Sequence, residues 1–113
     1  MIKTCLVSKA FPLTPILQKE CEKFVQLVKS AKSILISSTL TSDGDSIGGQ
    51  LGLYDLISTL RNSSEGIWMV DQSPVPARYS FLKGSEKIFS IEDWRSSKKN
   101  ISFDLGITCD GGI

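Results

Sequence analysis

Residues 33–60 read SILISSTLTSDGDSIGGQLGLYDLISTL, and the change of pattern inside this stretch decides the fold. Ile34-Leu35-Ile36 is an apolar run without polar alternation, the pattern of a strand covered on both faces, and it predicts a central parallel strand over Ser33 to Ser38. Thr39 to Asp45 is rich in Ser, Thr, Asp and Gly, which bond locally to the backbone or tolerate unusual dihedrals, so the strand stops there. From Ser46 the period changes. Ile47, Leu51, Tyr54, Leu56, Ile57 and Leu60 recur near 3.6 residues per turn and predict a helix with one apolar stripe.

The loop therefore joins the carboxyl end of a strand to the amino end of a helix, where open α/β sheets place their ligands. Asp43 and Asp45 stand in it with Gly44 between them, followed by Gly48-Gly49. Either carboxylate can cap the helix and be favoured there by its macrodipole. Capping needs one acceptor, however, and two hard oxygen donors on one loop also suit a Mg2+ or Mn2+ ion.

Upstream, Ile16, Leu17, Cys21, Phe24, Val25 and Val28 recur at helical spacing and predict an amphipathic helix over Pro15 to Ala31. Residues 1–14 lack clean periodicity and read as a poorly determined leader. Downstream, Ile67-Trp68-Met69-Val70 predicts a second strand, completing a parallel βαβ unit. Asp71 to Pro76 follows as a loop punctuated by Pro74 and Pro76, with a short helical turn expected between Pro76 and Leu82. Ile88, Phe89 and Ile91 are few, with Trp94 as their anchor, and Arg95 to Asn100 reads as a solvated basic connector. Phe103 to Cys109, FDLGITC, predicts a third buried strand that closes on Asp110. If that strand neighbours the first in a parallel sheet, Asp110 arrives beside Asp43 and Asp45. Three carboxylates in one crevice repel unless a cation lies between them.

Composition bounds the alternatives. At 113 residues, 41% hydrophobic and 22% charged, the chain has the make-up of one soluble domain with its own core. Its formal net charge of +1 gives no polyanion-binding surplus. Three cysteines without CxxC spacing argue against a zinc site or a disulfide framework and for a reducing, cytoplasmic setting. No segment has the apolar length of a secretory signal or a membrane span, so no membrane partner is expected.

The stretch ISSTLTSDGDSIGGQLGLYDLI resembles the first motif of the DHH phosphoesterases, a strand leading through His-x-x-Pro-Asp-Gly-Asp-x-Ile-Gly-Ser into a long helix. VDQSPVPARYSFL, residues 70–82, is similar to the branch that contains the bifunctional oligoribonuclease and adenosine-bisphosphate phosphatase, and FDLGITCDGG resembles the family's second motif. The resemblance implies an α/β fold, a parallel sheet with flanking helices, over residues 15–113 as the amino-terminal part of such a domain. It also implies a Mn2+ pair, or Mg2+, with Asp43, Asp45 and Asp110 among its ligands, and a short RNA or nucleotide as substrate. Two departures stand out: Thr39 replaces the motif His and Ser42 its loop Pro. The chain contains no His, so the Asp-His-His motif is missing. The expectation is a truncated enzyme, inactive alone, that needs a complementing carboxyl-terminal chain, or else a non-catalytic binding or regulatory remnant of the fold.

Overall fold

The structure is a computed structural model that describes residues 13–40 and 42–110, so the expected leader lies almost wholly outside the described residues. Its elements run α1 (Pro15–Ser30), β1 (Ile34–Ser37), α2 (Gly44–Arg61), β2 (Ile67–Asp71), two 3-10 turns (Ala77–Tyr79 and Ser85–Lys87), β3 (Ile88–Ser90), α3 (Ile91–Ser96) and β4 (Leu105–Thr108). The four strands form one sheet in the order β3-β2-β1-β4, and every pair is parallel. The α/β architecture and the central position of β1 are thus as the sequence predicts.

One face of the sheet makes the core. Register aligns Ile36 with Met69 on one side and Ile107 on the other, and aligns Met69 with Ile88, so these side chains form a continuous apolar row. Ile34, Ile36 and Met69 are essentially inaccessible, packed with Val28 of α1 and with Ile47 and Ile57 of α2. Each such side chain contributes about 1.5–3 kcal/mol through burial. The α2 stripe packs as expected at Ile47, Leu51, Tyr54, Ile57 and Leu60 and differs at one position. Leu53 packs against the core, whereas Leu56 points outward at 44% exposure.

On the opposite face Trp68, Phe89, Trp94 and Phe103 meet at centroid separations of 5.3–6.1 Å, which docks α3 under β2 and β3. β3 itself has no counterpart in the sequence reading. Three residues are too few to show a period, and Ile88 and Ser90 are buried because they continue the β2 rows.

Two further expectations are corrected. β4 is half-buried rather than buried, since it is an edge strand whose Gly106 and Thr108 side is exposed while Leu105 and Ile107 pack inward. The first half of α1 stands clear of the core, with Ile16 77% and Leu17 49% exposed, whereas Phe24 and Val28 in its second half pack into it.

Polar ties fix the amino ends of the strands. The Asp104 carboxylate accepts from the Lys32 and Ser33 amides at 3.0 and 2.9 Å. Arg61 donates from Nη1 to the carbonyls of Val28 and Ala31, closing the carboxyl end of α1. Gly66 turns into β2 at φ 78°, and a Cβ there would lie 2.4 Å from the Lys32 carbonyl oxygen. Only glycine fits that turn.

Candidate functional site

Because all four strands run parallel, their carboxyl ends share one edge, and the loops leaving β1, β2 and β4 converge there. Asp43 is the N-cap of α2. Its Oδ1 accepts from the Ser46 amide at 2.9 Å, and its own amide donates to Ser46 Oγ at 2.8 Å, a reciprocal capping box. These bonds to Ser46 hold the Asp43 carboxyl below the usual carboxylate range. Asp45 lies exposed in the first turn of the same helix. Asp110 follows β4 in left-handed backbone, φ 52°, and is also exposed. Ser37 aligns with Thr108 and the Cys109 amide donates to the Ser37 carbonyl at 2.9 Å, so Asp110 leaves the sheet level with Thr39.

The topology thus brings the three predicted carboxylates to one edge. It does not close them into a ligand set: among the described residues, no three or more His, Cys, Asp or Glu side chains stand close enough to hold a metal ion.

The most constrained carboxylate at this edge is one the sequence reading left in a loop. Asp71 is the last residue of β2 and 3% exposed. Its Oδ1 accepts three hydrogen bonds, from the Ser38 amide at 3.0 Å, Ser38 Oγ at 3.1 Å and Gln50 Nε2 at 2.9 Å. Gln50, fully buried on α2, also donates to the Ile36 carbonyl at 3.0 Å. The Ser42 hydroxyl, 5% exposed, lies near enough to favour the charged form of Asp71 without making a well-formed bond. Burial dominates and pushes the Asp71 carboxyl up, against the bonds from Gln50 and Ser38. Asp71 Oδ2, Gln50 Oε1 and Ser42 Oγ are buried with no hydrogen-bond partner among the described residues.

Two signals in the sequence point to this trio. Asp71 ends an apolar run directly, as Asp110 does, and Gln50 interrupts the apolar positions of α2 between Ile47 and Tyr54. A polar residue on a buried stripe marks a buried hydrogen bond.

Burial, then the charges of Asp71 and Asp110, push the Cys109 thiol up. Across the loop, the Tyr79 ring lies against Gly44, where an added Cβ would come within 3.4 Å of it. The 72–84 segment is thereby folded over the start of α2. A concavity of about 910 Å³ lined by Lys29, Lys32 and Arg61 lies at the other edge of the sheet; its guanidinium is already committed to backbone carbonyls.

Among the described residues no helix is long and apolar enough to cross a membrane. No protein-family model and no curated protein matches the chain. The crystal structure of an exopolyphosphatase-related protein from Bacteroides fragilis does match, with a TM-score of 0.74 over 89% of this chain at 22% identity. The matched region is 30% of that protein's chain. What the two proteins are shown to share is the fold, a parallel sheet flanked by helices, over a part of the larger molecule.

Proposed function

We propose that this chain carries the strand-loop-helix half of a phosphoester-hydrolysing domain of the DHH type. Asp43, Asp45 and Asp110 contribute to a divalent-cation site, Mn2+ or Mg2+, whose remaining ligands come from outside residues 13–110. The observation that carries this reading is the parallel pairing of β1 with β4, which sends the Asp43-Gly44-Asp45 loop and Asp110 out along the same edge. The fold shared with an exopolyphosphatase-related protein supports phosphoester chemistry in general. The motif resemblance narrows the substrate to short oligoribonucleotides or adenosine bisphosphate.

A second reading, a binding module without turnover, is favoured by two specific features. Thr39 stands where the resembled motif has an imidazole, and the Asp43 carboxylate is engaged as a helix cap. One assay separates them. The purified chain is incubated with Mn2+ and a short RNA or adenosine bisphosphate, with and without a complementing chain that carries the Asp-His-His motif. The hydrolytic reading expects turnover only in the complemented reaction, abolished by Asp45→Ala. Absence of turnover in both, with substrate still bound, establishes the binding module.

A further inference from the structure

The carboxyl edge holds a buried charge that the protein leaves half-partnered. Asp71 Oδ1 is saturated by three donors and Oδ2 has none. The nearby donors are already used: both amide hydrogens of Gln50 go to Ile36 and Asp71, and the Ser38 amide and hydroxyl go to Oδ1. The Ser42 hydroxyl has no partner among the described residues, and its one hydrogen cannot serve both Asp71 Oδ2 and Gln50 Oε1. Nor is there a cationic side chain to balance the charge, for the ion pair found among the described residues is Lys23 with Glu20 on α1. Buried carboxylates are paired or coordinate a metal.

The missing partner is either a proton on Asp71, which burial favours, or a group that supplies positive charge and accepts oxygen lone pairs. A carboxylate, an amide carbonyl and a hydroxyl are hard donors, matched to Mg2+, Mn2+ or Ca2+ rather than to the thiol- and imidazole-seeking metals.

We propose that Asp71, Gln50 and Ser42 form the inner wall of a divalent-cation subsite at the carboxyl edge of the sheet, different in its ligands from Asp43, Asp45 and Asp110. The inference rests on the unpartnered buried oxygens and stands whether or not the chain hydrolyses a phosphoester.

The test is Mn2+ titration of the metal-stripped full chain, following loss of the free-ion electron paramagnetic resonance signal, with the thermal midpoint measured in parallel. Wild type and Asp104→Asn, altered at the opposite edge, are expected to bind equally. Asp71→Asn keeps the Oδ1 acceptor and places an amide donor where Oδ2 was. It is expected to fold at least as stably without metal, to bind Mn2+ at least tenfold more weakly, and to lose the Mn2+-induced rise in midpoint. Ser42→Ala, a loop change that keeps the Asp71 bonds to Ser38 and Gln50, is expected to weaken binding several-fold and decides the matter should Asp71→Asn not fold. Undiminished binding in Asp71→Asn, or in Ser42→Ala if that variant alone folds, would overturn the proposal. Wild type that binds none of Mn2+, Mg2+ or Ca2+ would overturn it too, a buried water then filling the space. Binding lost in Asp45→Asn but kept in Asp71→Asn would likewise reject this subsite while leaving the hydrolytic reading intact.

Discussion

The two ends of one sheet are built on opposite terms. At the amino edge, Asp104 spends both oxygens on the Lys32 and Ser33 amides, Arg61 seals the end of α1, and Gly66 is fixed in place by the Lys32 carbonyl. At the carboxyl edge, Asp71, Gln50 and Ser42 are as deeply buried as the core yet keep oxygens without partners. An unsatisfied buried acceptor costs about 1–3 kcal/mol. The carboxylates of the two edges thus differ: Asp104 pairs both oxygens with backbone amides, whereas Asp71 pairs one, although the amino edge has a buried group of its own, Arg61 Nε, without a partner among the described residues.

The largest expected effect breaks the amino edge. Gly66→Ala forces a side chain into left-handed backbone and onto a carbonyl, and should cost about 3 kcal/mol in urea unfolding, unaltered by added metal. A cost below about 1 kcal/mol would mean that this turn is not held as tightly as described. Next, at the carboxyl edge, Asp71→Ala leaves the Ser38 amide and the Gln50 side chain without their acceptor and should cost about 2 kcal/mol by the same measurement. Asp71→Asn should cost nothing in the absence of metal. If the two variants lose equal stability, it is charge rather than hydrogen-bond acceptance that Asp71 supplies to the fold.

A smaller effect is expected where the edges meet the helix. Ser46→Ala removes one arm of the capping box and should lower stability by about 1 kcal/mol in thermal unfolding. The smallest is a pH effect. The amides of Lys32 and Ser33 hold the Asp104 carboxyl below its ordinary value of 3.8. A depressed folded value means that its contribution is present above pH 3.8 and lost as pH falls through the folded value. Asp104→Asn should therefore flatten the acid limb of the stability curve and leave its shape above pH 5 unchanged. An acid limb identical to wild type would remove Asp104 from the structural account.

Much of this was legible in the residues. Ile34-Leu35-Ile36 announces a doubly covered strand, and the switch to helical spacing after Ser46 announces the α2 that covers it; both hold because burial and periodicity act over several residues. The edge position of Asp110 follows from apolar run, then Asp, once parallel pairing is assumed. β3 was hidden because three residues carry no period, and the overhang of α1 because periodicity records an apolar face without saying what covers it. Asp71 was missed for a related reason. The prolines after it suggested a loop, and its burial depends on Ser38 and Gln50, contacts across 33 and 21 residues that no local pattern contains.

The contrast between the edges is tested most directly by diffraction at the manganese absorption edge from crystals of the full chain grown with Mn2+. An anomalous peak is expected at the carboxyl edge, in contact with the Asp71 carboxylate and absent from crystals of Asp71→Asn. No peak beside Asp71, with a water hydrogen-bonded to its Oδ2 instead, would contradict it.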